Sequence, residues 1–419
     1  MTSNSGNFQF LIQKSIQLLP DPFLIPNESH QSQILQATDF ILERISDYKT
    51  ICDLEDLLIS EKEQYPLALH VVVKLARSKR LISKIQDPIH VSIVFAVYKE
   101  HQRILPAQQH PHGENFLIQK ARQLDWLFSG NENHRWKLIM VDDGCPEGTG
   151  RIAEEIVSKN NLKDSVEVLY LKDAINANFE PVKNLKTVNE SRKGGSIQYG
   201  MWHAAQEKRN NHIIAFTDAD LSTHLGQLGL LVHPIINEKK AAIGSRREKN
   251  SVVIKTGTRN TRGKLFIYLW KRMLHALTFV VDTQCGFKAF HSNIVEEIVK
   301  DNIEQQFAFD IELLLQTQLN YPNQIKNVGI AWIDSEAAST TKDLQPYLSM
   351  LKMIAKMYKK YIPQNPESDA FANFVLGLTE ADWQTLVDNI PEEIATREPM
   401  VFNSFNEVDT TSFQKILTD

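Results

Sequence analysis

The segment HIIAFTDADLSTHLGQL, residues 212–228, contains an apolar run that ends in two aspartates, Asp218 and Asp220. The run, 213–216, has the length of a short strand, and strands buried on both faces read as continuous apolar stretches. Two carboxylates separated only by Ala219 repel each other unless a cation or hydrogen-bond donors lie between them. The segment therefore predicts a buried strand with a charged pair at its carboxyl end.

Similar apolar runs lie on both sides of this strand, and helical patterns separate them. Alternation of strand and helix is typical of crossover units, which build a mostly parallel sheet with helices on both faces. We therefore predict an α/β fold with a Rossmann-like sheet. The other runs are IHVSIVFAVY (89–98), KLIMV (137–141), VEVLYL (166–171), AAIG (241–244) and VGIAWI (328–333).

The runs divide the chain into three predicted regions. Residues 1–86 are predicted to be helical, because apolar side chains between positions 34 and 45 recur at three- and four-residue steps. Pro88 then breaks the helical pattern. Residues 87–362 hold the strands. Residues 363–419 are acidic, and we predict a mostly helical C-terminal appendage there.

Composition restricts the class of protein. The chain has 419 residues and a net charge of -5, which gives no reason to expect nucleic-acid binding. Its three cysteines are far apart in sequence and odd in number, so we do not expect a disulfide framework. This cysteine content suits a reducing compartment. The polar N-terminus does not resemble a signal peptide. We expect a cytoplasmic protein with at most peripheral membrane contact, and the oligomeric state stays open.

The most apolar later stretch is LFIYLWKRMLHALTFVV, residues 265–281. Lys271, Arg272 and His275 interrupt it, and it is shorter than the roughly 20 apolar residues of a spanning helix. Two interpretations remain for it. The stretch is either an interfacial helix that guides a lipid or a helix packed in the core.

Three predicted strands end in polar or acidic residues, at 98–100, 142–143 and 218–220. Ligands of open α/β sheets bind at the carboxyl ends of the strands. A helix cap is a sufficient explanation for Asp142 but does not explain the Asp-Ala-Asp sequence. Hard divalent cations prefer carboxylate oxygens and keep positions open for substrate phosphates. We therefore predict that the pair binds Mg²⁺ or Mn²⁺, which in turn holds a diphosphate.

Seven motifs in this order closely resemble the family 2 glycosyltransferases of GT-A fold, particularly the branch of dolichyl-phosphate glucosyltransferases and mannosyltransferases. The resemblance covers about residues 89–345. The string DTQCGFK followed by FDIEL is more similar to the glucosyl branch, which favours glucose and a UDP donor. The motifs are VFAVYKE (94–100), IMVDDGCPEGTG (139–150), ESRKGGSIQYGMWHAA (190–205), AFTDADLST (215–223), IGSRR (243–247), VVDTQCGFKAF (280–290) and FAFDIELL (307–314).

The resemblance implies a role for each matching residue. The first strand borders the base and ribose of a nucleotide-sugar donor, Asp143 accepts a hydrogen bond from the base, and the Asp-x-Asp engages ribose and metal. Ser222 can add an oxygen ligand to Asp218 and Asp220. Ala96 and Lys99 stand where the family usually has proline and asparagine. The implied donor-binding residues are Ala96, Tyr98, Glu100, Asp143, Asp218, Ala219 and Asp220.

Basic residues offer charge for the diphosphate and for an acceptor phosphate. The resemblance places Arg246, Arg259 and Arg262 near that charge, and guanidinium binds phosphate in a bidentate manner that lysine cannot match. Lys288 is a further candidate, with a plain surface lysine as the alternative. In RKGGS, 192–196, the glycines permit a helix to start close to the donor, with Arg192 or Lys193 beside Gly194 facing phosphate or sugar.

The predicted reaction is displacement at the anomeric carbon of the donor sugar, with inversion, Asp220 and Arg246 serving the leaving diphosphate. A phosphate acceptor, such as a polyprenyl phosphate, is already ionised near neutral pH and needs no base. A soluble hydroxyl acceptor needs one, and Asp282 and Asp310 are the candidates, with helix capping as the alternative. Cys285 lacks a partnering histidine in the pattern, so we do not predict a cysteine nucleophile.

Other classes of protein remain as alternatives. A sugar nucleotidyltransferase shares the layout but begins with a glycine-rich loop after the first strand, and VFAVYKEHQRI, 94–104, has no glycine. A phosphatase with an Asp-x-Asp motif carries its nucleophile on the first strand, whereas this pair follows a later one. An inactive nucleotide-sugar-binding scaffold is the third alternative.

Overall fold

In a computed structural model of the chain, the structure describes residues 2–254, 260–333 and 346–418. Seven strands form one sheet and two short strands form a second one. The strands are β1 His90–Val97, β2 Arg135–Asp142, β3 Val166–Tyr170, β4 His212–Thr217, β5 Ala241–Ser245, β6 Val252–Ile254, β7 Phe287–His291, β8 Ile325–Gly329 and β9 Ala331–Ile333.

The large sheet has the order β3-β2-β1-β4-β7-β5-β8. All its neighbouring pairs are parallel except those of β7, which runs antiparallel between β4 and β5. Strand β1 lies between β2 and β4, and Val94 is level with Ile139 on one side and Phe216 on the other. The strand that precedes Asp-Ala-Asp is therefore the middle strand of this sheet, and it is buried along its length, as the sequence predicts.

Helices cover both faces of this sheet. Nine of them lie between β1 and the C-terminal appendage within the described residues, and successive residues of β1 pack on opposite sides: Ile93 and Phe95 belong to one apolar cluster and Val94 to the other. This is the α/β, GT-A architecture that the sequence predicts. The nine are α5 Phe116–Phe128, α6 Thr149–Lys159, α7 Leu171–Asn176, α8 Gly194–Gln206, α9 Gly229–Ile236, α10 Asn260–Met273, α11 Ser292–Ile298, α12 Phe309–Asn320 and α13 Tyr347–Tyr361.

The N-terminal extension is helical, and buried charge ties it to the sheet. Lys74, which is fully buried, forms an ion pair with Glu55 at 2.9 Å and donates to the carbonyl of Gly329 at 2.9 Å. The extension therefore packs directly on the end of β8 and the small sheet. Its helices are α1 Thr2–Leu18, α2 Glu28–Arg44, α3 Tyr48–Ser60 and α4 Leu67–Ser83.

The C-terminal extension is also helical and packs over α10. Tyr268 is buried at this contact. Its hydroxyl accepts from the backbone amide of Val408 at 2.8 Å, and its ring contacts Phe402 and Phe405. The helices are α14 Pro366–Gly377, α15 Glu380–Asp388, α16 Glu392–Thr396 and α17 Thr410–Thr418. The predicted region boundaries at 86/87 and 362/363 stay predictions.

Of the two interpretations for residues 265–281, the structure supports the core helix. Residues 265–270 are buried against α13 and the C-terminal extension, and Lys271 donates to the carbonyl of Thr278 at 2.6 Å. Only Phe279, with 40% of its surface exposed, stands out as a large apolar side chain on the outside of this stretch. In the part of the chain that the structure describes, no helix combines the length and apolarity that crossing a membrane requires.

Two features of the sheet differ from the prediction. Strand β7 was not predicted, because Lys288 interrupts its apolar pattern. The run VGIAWI, predicted as one strand, ends β8 at Gly329 and continues as β9 in the second sheet. A side chain at Gly329 would overlap Asn250, so the chain bends at a residue without one.

Candidate active site

The three polar strand ends meet at one edge of the sheet, because β2, β1 and β4 are neighbours and parallel. Tyr98, which follows β1, keeps 44% of its surface exposed at this edge, and Ala96 is half-buried in the strand before it. Asp142 accepts from the backbone amides of Cys145 and Gly150, so it caps the start of α6 as expected. The edge thus presents an aromatic face beside carboxylates.

Asp218 is held by a cation of the protein. The ammonium of Lys193 bonds directly to Asp218 Oδ1, and 35% of the aspartate side chain remains exposed. Burial raises the pKa of Asp218, but the charge and hydrogen bond of Lys193, together with the charges of Arg246 and Lys120, lower the pKa overall. Of the two basic residues predicted to face the site, Lys193 reaches it, whereas Arg192 is exposed.

Asp220 is held at three points. Its Oδ1 accepts from the backbone amide of Ser222 at 3.0 Å, and its Oδ2 lies 3.9 Å from Arg103 Nη2. Its main-chain carbonyl accepts from Lys120 at 2.7 Å. Burial and the neighbouring charge of Asp218 raise the pKa of Asp220. The two carboxylates therefore destabilise each other's ionised form, which a divalent cation would relieve.

Asp143 ties the second strand end to the start of α8. Its Oδ1 accepts from the hydroxyls of Ser191 and Ser196, both at 2.7 Å, and its Oδ2 accepts from the backbone amide of Lys193 at 2.9 Å. Lys193 takes a positive φ of 83° at this turn. The carboxylate predicted to contact the base therefore also fixes the backbone that places Lys193 on Asp218.

Helix α8 begins at Gly194, where space is too small for a side chain. A Cβ there would lie 2.7 Å from the backbone of Gln305 and Gln306. The backbone amides of Arg192 and Gly195 donate to the carbonyl of Gln305 at 3.1 and 3.0 Å. The glycines of RKGGS thus let the helix start close to the loop before α12, and the helix N-terminus opens toward the carboxylate edge.

Arg246, which follows β5, is held by Asp282. The carboxylate accepts from the arginine Nε at 2.8 Å, from Nη2 at 2.7 Å and from its backbone amide at 2.7 Å. Burial raises the pKa of Asp282, but the ion pair outweighs it and lowers the pKa to about 2. A carboxylate bound this way is a poor proton acceptor. These contacts favour a role in orienting Arg246 over the predicted role as a base.

Lys288 lies inside the protein. Its ammonium donates to the carbonyls of Thr283 and Cys285 and to Asp310 Oδ2 at 3.1 Å, and the side chain is fully buried. Asp310 also accepts from Gln284 at 2.8 Å. The surroundings of Lys288 favour a structural role over the predicted phosphate contact. Both oxygens of Asp310 are likewise engaged by protein donors.

The remaining candidates lie at the margin of the site or beyond it. Arg262 is exposed in the first turn of α10, and Arg259 falls outside the described residues. Cys285 is fully buried, and burial raises the pKa of its thiol to about 12, which agrees with the expectation that it is no nucleophile.

The residues present fit a divalent cation. Among the described residues, hydrogen bonds reach one oxygen of each carboxylate, from Lys193 to Asp218 and from Ser222 to Asp220. Within the same residues no three His, Cys, Asp or Glu side chains form a group that could hold a metal ion. Two carboxylates with open positions are what Mg²⁺ or Mn²⁺ uses together with substrate phosphates. Ser222, the third predicted metal ligand, donates its backbone amide to Asp220 and is 4% exposed.

Gly286 provides a test of how tightly Asp218 is placed. A Cβ at position 286 would overlap both carboxylate oxygens of Asp218. We expect Gly286→Ala to displace this carboxylate and to lower the rate of the predicted sugar transfer about 100-fold, since small misplacements in an active site have effects of this size. The measurement is the initial rate of transfer, alongside the Tm.

Gly377→Ala is the matched control, because a Cβ there meets nothing within 4 Å. We expect its rate and Tm to equal those of the wild type. A Gly286→Ala protein with a wild-type rate would show that the position of Asp218 does not matter.

Sequence reasoning missed three residues of the site. Arg103 and Lys120 contact Asp220, and Gln284 contacts Asp310. A signal existed for Lys120, which is spaced four residues from both Phe116 and Leu124 on the apolar face of α5. A lysine on a buried face needs an acceptor nearby.

The sheet has the GT-A architecture that the resemblance implies, and the chain is similar to known glycosyltransferases. Residues 120–298 match the model of the family described as "Glycosyl transferase family 2". A dolichyl-phosphate beta-glucosyltransferase of Trichomonas vaginalis is 23% identical over 71% of this chain and 83% of the relative. The human dolichyl-phosphate beta-glucosyltransferase is 28% identical over 63% of this chain and 72% of the relative.

A solved structure is similar to this chain at a lower sequence identity than these relatives. Glucosyl-3-phosphoglycerate synthase from Mycobacterium tuberculosis, in complex with Mn²⁺, UDP and glucosyl-3-phosphoglycerate, is 13% identical with a TM-score of 0.43, over 70% of this chain and 86% of that one. These matches show that the chain resembles the family 2 glycosyltransferases, in particular the dolichyl-phosphate glucosyltransferases, and they support an enzyme of the hexosyltransferase class.

Proposed function

We propose that the chain transfers glucose from UDP-glucose to a polyprenyl phosphate and requires Mg²⁺ or Mn²⁺. The observation that carries this proposal is the Asp218–Asp220 pair at the carboxyl edge of the sheet, held beside Lys193 and Arg103. The similarity to dolichyl-phosphate beta-glucosyltransferases supports the sugar and the acceptor. Because the family match and these relatives are glycosyltransferases, they favour this function over the nucleotidyltransferase and inactive-scaffold alternatives.

The donor nucleotide would occupy the edge formed by the first two strand ends. Tyr98 offers an exposed ring for the base, and Glu100 lies beyond it as an acceptor for ribose hydroxyls. Asp143 keeps lone pairs beside its three protein donors and can accept from a uracil N–H. The sugar would then lie toward Ala219 and the start of α8.

The leaving diphosphate needs compensation for its charge. A divalent cation held by Asp218 and Asp220 would act as a Lewis acid toward the diphosphate oxygens. Arg246 is oriented by Asp282 so that the guanidinium is preorganised for developing negative charge. Lys193 is the second cation at the edge, and it can turn from Asp218 to a phosphate once the carboxylate is otherwise neutralised.

The acceptor phosphate would attack the anomeric carbon directly, with inversion. Such a phosphate is ionised near neutral pH, because its second pKa is about 6. No protein base is required, which agrees with the engagement of Asp282 by Arg246 and of Asp310 by Lys288 and Gln284. Since a polyprenyl chain resides in a membrane, the enzyme would act at a membrane surface. That it acts on the cytoplasmic side remains a prediction.

The test is a transfer assay with purified protein and Mn²⁺. UDP-glucose or GDP-mannose is offered as donor, and farnesyl phosphate or glycerol 3-phosphate as acceptor. We expect glucosylated farnesyl phosphate from UDP-glucose, detected by mass spectrometry. We expect EDTA to abolish the product and added Mn²⁺ to restore it.

Other outcomes would contradict parts of the proposal. Preference for GDP-mannose would refute the donor, and product from glycerol 3-phosphate alone would refute the lipid acceptor. Full activity in EDTA would refute the metal requirement.

A further inference from the structure

The loop that follows β1, residues 101–115, carries an arginine into the acidic centre. Arg103 is buried, and its guanidinium donates to both oxygens of Glu114, at 3.2 and 3.1 Å, and to Glu100 at 3.0 Å. The same Nη2 lies 3.9 Å from Asp220 Oδ2. One side chain thus joins the end of the first strand to the Asp-x-Asp pair.

The loop is built to deliver this arginine. The backbone amides of Glu114 and Asn115 donate to the carbonyls of Arg103 and Leu105, both at 2.9 Å, so the two ends of the loop are tied together. Glu114 is 1% exposed, and its carboxylate faces the guanidinium in the bidentate manner of strong ion pairs. The whole loop therefore holds Arg103 in one orientation.

Lys120 contacts the main chain of Asp220. Its fully buried ammonium donates to the carbonyl of Asp220 at 2.7 Å and lies 5.6 Å from the Phe95 ring. With Ser222 on Oδ1, the side chain and the backbone of Asp220 are both contacted by donors or cations that originate outside β4. These contacts leave the Asp220 carboxylate little freedom to rotate.

We propose that Arg103 is a positioning residue for the metal and the donor diphosphate, and that Glu114 acts through it. This inference rests on the proposed function. Partners of metal ligands orient them, and loss of such a partner lowers metal affinity or activity about 10- to 100-fold. A planar fork with five donors can contact Glu100, Glu114 and Asp220 together, whereas a lysine ammonium cannot span them.

The test measures binding of Mn²⁺ in the presence of UDP, from the electron paramagnetic resonance signal of free Mn²⁺, and the KM for UDP-glucose. We expect Arg103→Gln to raise the half-saturating Mn²⁺ concentration and the donor KM about 10- to 100-fold. Arg103→Lys should fall between this variant and the wild type. Glu114→Gln should change both quantities in the same direction, because it releases the guanidinium.

Arg122→Gln is the matched control. Arg122 pairs with Glu28 at 2.6 Å on the outside of α5, and 56% of its side chain is exposed. We expect its Mn²⁺ binding and KM to equal those of the wild type. If Arg103→Gln fails to fold, Arg103→Lys and Glu114→Gln carry the comparison.

Folded Arg103 and Glu114 variants with wild-type Mn²⁺ affinity and wild-type KM would overturn the inference, including the case in which only kcat or the Tm falls. A wild-type protein that binds neither Mn²⁺ nor UDP would instead refute the proposed function. The acceptor does not enter the measurement of Mn²⁺ binding, so a different acceptor would leave the inference about Arg103 standing.

Discussion

Replacing Asp220 by asparagine is expected to lower sugar transfer by about 100-fold or more while leaving the fold intact. Asparagine keeps the shape of the side chain and can still accept from the Ser222 amide, but it lacks the negative charge that a divalent cation requires. The transfer rate is measured over a range of Mn²⁺ concentrations, because a weakened metal site should need more metal.

The folding stability of Asp220→Asn should not fall together with its transfer rate. Burial and Asp218 raise the pKa of Asp220, so its ionised form destabilises the folded protein above that pKa. Near neutral pH and without metal, we expect the Tm of Asp220→Asn to equal or exceed that of the wild type. Loss of rate together with a strongly lowered Tm would contradict this explanation.

Asp125→Asn is the control for removal of a carboxylate. Asp125 lies on α5 and accepts from the Trp136 indole at 3.2 Å, at an exposed position. We expect this variant to retain its rate and its metal dependence. A wild-type rate in Asp220→Asn itself would show that the pair does not hold the metal.

The second large effect is expected for Asp282→Asn. Asp282 accepts three hydrogen bonds from Arg246, and removing its charge leaves a mostly buried guanidinium without its counter-ion. Breaking such a buried pair costs about 3–5 kcal/mol of folding free energy. We also expect an approximately 100-fold lower rate, because the arginine is no longer oriented toward the leaving diphosphate.

The pH dependence of the folding stability tests the same ion pair between Arg246 and Asp282. The pKa of Asp282 in the folded protein, about 2, lies below its ordinary value of 3.8, so the ion pair stabilises the fold above pH 4. This contribution, about 2 kcal/mol, is lost as the pH falls from 4 to 2. Acid unfolding of the wild type should show this loss, and Asp282→Asn should lack it.

Arg246→Lys separates orientation from charge. Lysine keeps the charge but not the bidentate contact, and we expect a rate at least about 10-fold below the wild type. If Asp282 were a general base, Asp282→Asn would instead leave the donor KM unchanged and would abolish the dependence of the rate on a carboxylate pKa. That result would restore the role predicted from the sequence.

Much of the fold and part of the site follow from local patterns. The buried run before Asp218 and Asp220 is continuous in sequence, and parallel neighbours place consecutive strand ends at one edge. The cap at Asp142 and the close approach at Gly194 also depend on residues within a few positions or on the absence of a side chain. Patterns of this kind are readable because their physical cause is short in range.

Strand β7 shows where local patterns fail. A charged residue within FKAFH contradicts the apolar run of a buried strand, yet Lys288 lies there fully buried. Its acceptors are the carbonyls of Thr283 and Cys285, earlier in the same turn, and Asp310, 22 residues further on. The burial of that charge is possible only after the strand is paired between β4 and β5.

Chain order and residue type were enough to specify an α/β sheet, helical extensions and an acidic pair at a strand end. The partners of that pair were not specified, since Lys193, Arg103 and Lys120 reach it from loops and helices separated by 25 to 117 positions in sequence. Electrostatic contacts of this kind depend on distances of a few ångströms in three dimensions, and such distances exist only once the elements have packed.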